Sequence, residues 1–202
     1  MGQLQNLTLP GGWSSGGMTS RVAGYDSYDS AALDRFLAGV ERRAFRMAQI
    51  ATGNREEALD IVQDAMLQLA HRYGRREEQE WGALFQRILQ NRIRDWYRRS
   101  QVRSRVLGWF GAGREDDDPI AELPDERTPG PEREHANERL REALDAALHA
   151  LPLRQQQAFL LRAWEGLDVA QTASAMGVSE GSVKTHYSRA VHALRGRLEG
   201  QL

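Results

Sequence analysis

Wherever this chain is patterned at all, its apolar residues recur at steps of three and four. From Ala32 to Ala51 they fall at Leu33, Phe36, Leu37, Val40, Ala44, Met47, Ala48 and Ala51. That spacing marks one buried face of an α-helix. Ala58, Ile61, Val62, Ala65, Met66, Leu69 and Tyr73 repeat it, with Asn54 as a cap and Glu56 and Glu57 in the first turn. Leu84, Phe85, Ile88, Leu89, Ile93 and Trp96 define a third helix from about Trp81 to about Arg103. No stretch alternates with the period of two that a strand requires. The chain is therefore predicted to be all-α.

A change of character divides it. Four of the six prolines, Pro119, Pro124, Pro129 and Pro131, lie between Gly108 and Ala136. From Gly113 to Glu138 ten acids face three arginines, a net of −7. Such a segment is a flexible linker and not a domain. Beyond it Leu140, Leu144, Leu148 and Leu151 resume the helical pattern, and Pro152 opens a helix that carries Phe159, Leu160 and Ala163 and stops at Gly166. A short helix follows from Asp168, with Gln171 at capping-box spacing, and Gly177 breaks it. Ser179 caps a last helix with Val183, Tyr187, Ala190, Val191, Leu194 and Leu198 facing inward. The expected organisation is a Gly/Ser-rich disordered tail over 1–30, a helical block over 31–105, an acidic linker over 106–137 and a second helical block over 138–202. Met18, directly after the Gly/Ser run, is an alternative start of translation.

Composition narrows the chemistry. The 202 residues contain no cysteine, which excludes disulfides, thiolate metal sites and cysteine nucleophiles. No apolar run approaches the roughly 18 residues of a membrane span. Met1–Ser20 has no basic or apolar region of a secretory signal, so a cytoplasmic location is expected. The five histidines form no metal-ligand spacing, and no Gly-rich phosphate loop, nucleophile elbow or paired carboxylates are seen. Neither an enzyme nor a bound cofactor is expected.

Net charge is −1, yet all of the 27 basic residues except Lys184 are arginine. Arginine offers a rigid fork matched to phosphates and base edges, although a GC-rich genome produces the same bias. Position says more than count. The last two helices, with Gly177 in their turn, read as a helix-turn-helix, whose second helix enters the major groove. Its outward residues are Glu180, Ser182, Lys184, Thr185, Ser188 and Arg189, of which the last five can bond phosphates or base edges; a plain helical hairpin with a polar face is the competing reading. Between Gly82 and Arg105, seven arginines face Asp95 alone, with Trp96 and Tyr97 interleaved. Charge beside aromatic faces suits unstacked single-stranded bases, against a solvated face over two core rings. Glu56, Glu57, Asp60 and Asp64, with Gln63 between, form an acidic side that is either ordinary surface or a protein-docking face.

These residues together resemble a family. Leu151–Arg162, Trp164-Glu165-Gly166, Gly177–Thr185, Ser188-Arg189-Ala190 and Leu194-Arg195 resemble region four of extracytoplasmic-function (ECF) sigma factors of RNA polymerase. Glu57–Asp64 resembles their region-two docking helix, and Trp81–Asn91, Asp95 and Arg98 the promoter-melting segment that follows it. The resemblance implies a dissociable sigma subunit that binds core RNA polymerase, recognises minus-35 and minus-10 promoter elements and starts transcription of a specific regulon. It implies that Asp60, Gln63 and Asp64 meet the β′ clamp. It assigns the minus-10 strand to Arg75, Arg76, Trp81, Asn91, Asp95, Arg98 and Arg99. It assigns the minus-35 duplex to Ser182, Lys184, Thr185, His186, Ser188 and Arg189, with the β flap as a second polymerase contact. It also implies an anti-sigma partner, through which alone a membrane would be approached. His186 stands where arginine is usual, which weakens a phosphate contact or alters preference. Gln171 replaces a usual glutamate and Asp168 a usual Ser or Thr, both keeping the cap. A stand-alone helix-turn-helix regulator is the alternative function, and an adaptor that binds polymerase without touching promoter DNA is a third.

Overall fold

A computed structural model describes residues 30–109 and 131–199, with side chains over 31–103 and 140–199. The expected tail and most of the expected acidic linker lie outside the described residues, as does Met18. Seven α-helices and one π-helical turn make up the described chain: α1 (Ser30–Thr52), α2 (Arg55–Tyr73), α3 (Glu78–Trp109), α4 (Pro131–His149), α5 (Leu153–Phe159), the π turn (Leu160–Trp164), α6 (Val169–Met176) and α7 (Glu180–Leu198). Two limits differ from expectation. Helix α3 continues past Arg103 to Trp109, because nothing between them forbids helix. Helix α4 starts at Pro131, whose fixed φ suits a first helical position, and not near Glu138.

The first block packs α1, α2 and α3 around Phe45, Met47, Leu69, Phe85, Leu89 and Ile93, each at most 5% exposed. The local signals act as read. Gly53 ends α1 at a φ of 68°, a left-handed conformation that favours glycine. The Asn54 side chain then accepts from the Glu57 amide at 3.0 Å and starts α2. The second block packs α4 to α7 around Leu148, Leu161, Met176, Val183 and Ala190. Its α5 does not run unbroken to Gly166: the chain widens into the π turn, where the Glu165 amide reaches Leu160 O at 3.0 Å. Such turns concentrate at functional sites.

The two blocks meet along a seam where α3 lies on α6 and α1 lies on α4. The seam is buried but polar. Gln156 Nε2 donates to Ile50 O at 3.3 Å and Leu148 O at 3.0 Å, and Gln157 Nε2 to Gln90 O at 3.3 Å. Arg46 pairs with Asp145, whose side chain is 9% exposed. His149 Nδ1 contacts Ile50 O at 2.8 Å, and its ring lies so close that a Cβ on Gly53 would meet it at 3.0 Å. These polar contacts sit within an apolar cluster that joins both blocks, and seams this rich in side-chain amides resemble contacts between domains.

Candidate docking and nucleic-acid surfaces

Helix α2 turns Ala58, Ile61, Val62, Ala65 and Leu69 inward. Helical spacing therefore turns Asp60, Gln63 and Asp64 outward, and all three are exposed. Asp64 pairs with Arg92 of α3 at 3.5 Å, and Glu57 with Arg103 at 3.3 Å. Leu59 and Leu67 lie beside this acidic row, 39% and 56% exposed. With the polar Gln63 between them, they lie along one stripe at four-residue steps. Sequence reasoning passed over both leucines, although their place outside the inward set was legible.

The loop between α2 and α3 presents Arg75 and Arg76 to solvent, with Arg76 3.8 Å from Glu80. Trp81 corrects an expectation. It is 3% exposed, its indole N–H donates to Tyr73 O at 3.1 Å, and its ring lies 5.7 Å from Phe36. A ring held this way shapes the loop and has no face to offer a base. On α3 itself Asn91 accepts from Arg94 at 2.6 Å, and Asp95 accepts from Arg98 at 3.0 Å. Asn91 and Asp95 thus orient guanidiniums. Arg98 and Arg99 are exposed, and with Val102, Arg103 and Glu57 they line an open groove. The arginines expected as one basic run are in fact dispersed around the helix. Arg92 turns to α2, and Arg94 turns to the second block, where it donates to Met176 O at 3.4 Å.

The helix-turn-helix forms from its caps. Asp168 and Gln171 complete a reciprocal capping box at 2.7 and 2.9 Å. Gly177 takes the left-handed conformation at a φ of 65° and closes α6. Ser179 accepts from the Ser182 amide at 3.2 Å and opens α7. Val183, Ala190 and Leu194 then face inward, and Tyr187 stacks on Phe159. Lys184, Thr185, Ser188 and Arg189 are exposed on the opposite side, while Ser182 is half-buried with its hydroxyl 2.9 Å from that of Ser179. His186 is half-buried too. Burial first, then the charges of Arg154 and Arg189, hold its imidazole below the usual range, so it is neutral near pH 7. Arg154 joins Arg94 on Met176 O, at 2.9 Å, so two guanidiniums close the C-terminus of α6.

Three groups of sequence-chosen residues thus occupy distinct surfaces: Asp60, Gln63 and Asp64 on α2; Arg75, Arg76, Arg98 and Arg99 on the loop and α3; Lys184, Thr185, Ser188 and Arg189 on α7. Among the described residues no group of three or more His, Asp or Glu could hold a metal ion, and no helix is long and apolar enough to cross a membrane.

The family described as Sigma-70, region 4 matches residues 141–194. An RNA polymerase sigma-E factor of Streptomyces antibioticus is 33% identical over 143 residues, 71% of this chain and 71% of that protein. The ECF RNA polymerase sigma factor SigM of Mycobacterium tuberculosis is 32% identical over 187 residues, covering 92% of this chain and 84% of that one. Among solved structures, the sigma factor RpoE of Bartonella quintana, in complex with the anti-sigma factor NepR, has a similar fold. Its TM-score is 0.59 at 22% identity, with 82% of this chain and 96% of that one covered.

Proposed function

Because the chain belongs to the ECF RNA polymerase sigma factors, which makes it a sigma subunit directing transcription initiation, we propose how its surfaces divide that work. Residues 31–105 act as region two. The acidic row Asp60, Gln63 and Asp64, extended by Leu59 and Leu67, docks on the β′ clamp of core RNA polymerase. Arg75, Arg76, Arg98 and Arg99 hold the separated minus-10 strand, with Asn91 and Asp95 positioning the guanidiniums and Trp81 holding the loop. Residues 138–202 act as region four. Lys184, Thr185, Ser188 and Arg189, with Ser182 and neutral His186, read the minus-35 duplex, and the β flap provides a second polymerase contact. Residues 106–137 tether the two. An anti-sigma factor is the expected regulator, as in the complex of the Bartonella protein. The chain works in the cytoplasm and carries no chemistry of its own, since core polymerase performs the synthesis.

The observation that carries this reading is the exposed polar row of a doubly capped helix-turn-helix, inside the segment that matches region four. Opening DNA costs a few kcal/mol per unstacked step. Arginines that capture the freed strand offset that cost, while phosphate contacts from α7 set the position. In-vitro transcription with bacterial core polymerase and a genomic fragment library tests it. Transcripts that start only when the chain is added are the expected result. DNA binding without core, and no transcript with it, would instead support the stand-alone regulator.

A further inference from the structure

At the seam, two largely buried side chains each hold an oxygen without a hydrogen-bond donor. Gln86 of α3 is 7% exposed, and the side chain of Glu165, which follows the π turn, is 10% exposed. Gln86 Nε2 donates to Glu165 Oε2 at 3.1 Å. The remaining atoms of the pair, Gln86 Oε1 and Glu165 Oε1, are both buried and both lack a hydrogen-bond donor. Two acceptors cannot satisfy one another, and buried polar atoms in native proteins are rarely left unmet. One proton resolves both. A protonated Glu165 can donate from Oε1 to Gln86 Oε1, while Gln86 Nε2 continues to donate to Oε2, so that the two groups form a closed amide–acid pair.

We propose that Glu165 is a proton-operated latch between the two helical blocks: proton uptake completes its pairing with Gln86 and tightens the closed arrangement, and proton release loosens it. The surroundings favour the protonated form. Burial raises the Glu165 carboxyl above its ordinary range, and the opposing charge is Arg43 of α1, 3.9 Å from Oε1 and half exposed. From α3 the facing group is the neutral amide of Gln86, and at the start of α6 the Asp168 carboxylate is already committed to the Gln171 amide. Asp145, the other buried carboxylate of the seam, is raised by burial as well, but Arg46 lies in direct contact with it and opposes that rise, and it has no orphaned oxygen.

The direction of the effect follows from linkage. When the blocks part, water reaches Glu165 and its carboxyl returns to the ordinary range. The closed form therefore binds the proton more tightly. Its advantage is present at acid pH and lost as pH rises through the closed-state value. One proton changes the ratio of closed to open molecules by at most tenfold per pH unit.

The absence of cysteine allows a direct test. Fluorophores on Ala38→Cys of α1 and His192→Cys of α7, both exposed positions, report closure in the full chain by energy transfer. The closed fraction should fall with rising pH in the otherwise native chain. Glu165→Gln, whose amide can pair with Gln86 without a proton, should lose most of the pH response and stay largely closed. Glu165→Ala should be less closed and keep only the smaller response that Asp145 contributes, and Asp145→Asn should keep most of the native response. A flat native profile, opening on acidification, or an unchanged response in Glu165→Gln would overturn the latch. Far-UV circular dichroism checks that the variants fold. If Glu165→Gln does not, Glu165→Ala decides, and an unchanged response there is equally fatal.

Discussion

His186 stands on α7, the helix proposed to face DNA, with Arg154 and Arg189 near enough to oppose its protonation. Burial and these two charges hold its imidazole below the usual range, so it would offer hydrogen bonding and no net charge to the proposed minus-35 surface. Replacing it with arginine adds a cation. In the assembled holoenzyme, His186→Arg should steepen the plot of log affinity against log salt by about 0.9, the slope for one further neutralised phosphate. Filter binding to a promoter fragment at several salt concentrations measures it, and an unchanged slope would remove His186 from the phosphate path. In the native chain the same shift works against acid stability. The unfolded imidazole takes up a proton near its ordinary value while the folded one resists, so stability should decline as pH falls through that range. Trp81 illustrates the converse at this scale: an aromatic residue at the right spacing for DNA serves the fold instead.

Among the elements, α6 and α7 depend on their turn. Gly177 holds a φ of 65°, and a Cβ there would meet only Arg94 Nη1, at 3.9 Å. Space is adequate, so the obstacle to substitution is the backbone conformation itself. Gly177→Ala should cost about 1–2 kcal/mol, the penalty of the left-handed region for a side chain. Urea denaturation measures that loss. Transcription from minus-35-dependent promoters should fall further than the loss of folded protein explains, because the angle between α6 and α7 aims the reading residues. What was legible beforehand has the same local character. Asn54, Asp168 with Gln171, and Ser179 each act within three or four residues, and each cap forms where the sequence pattern puts it. The polar faces of α2 and α7 follow from the same periodicity. What was not legible depends on partners far along the chain. Gln86, Gln90 and Arg94 recur at four-residue steps on α3, yet their partners are Glu165, Gln157 and Met176. No periodicity within α3 distinguishes a face that will meet another block from one that will meet water. The π turn is equally hidden, since an extra residue in a helical turn leaves the apolar spacing almost intact.

At the scale of the whole molecule, the issue is how two helical blocks hold together through polar contacts and still part. One apolar cluster runs through both blocks, and the seam adds to it amides, backbone carbonyls and the Arg46–Asp145 pair. Asp145 has its carboxyl raised by burial, and Arg46 opposes that rise. The pair therefore gains little over two hydrated ions, but breaking it from one side leaves a charge stranded in the seam. Arg46 is about a quarter exposed, so the cost of its loss lies between that of surface and buried pairs, about 2 kcal/mol. Arg46→Ala should shift the free chain toward separated blocks without unfolding either. Small-angle scattering should then show a larger radius of gyration at unchanged helical content. Asp145→Asn, which removes the charge that would be stranded, should restore compactness to the Arg46→Ala chain. Unchanged compactness in both chains would locate the seam's strength in its amides alone. Recovery in the double variant would instead show that one ion pair, of small net value while intact, controls whether the blocks separate.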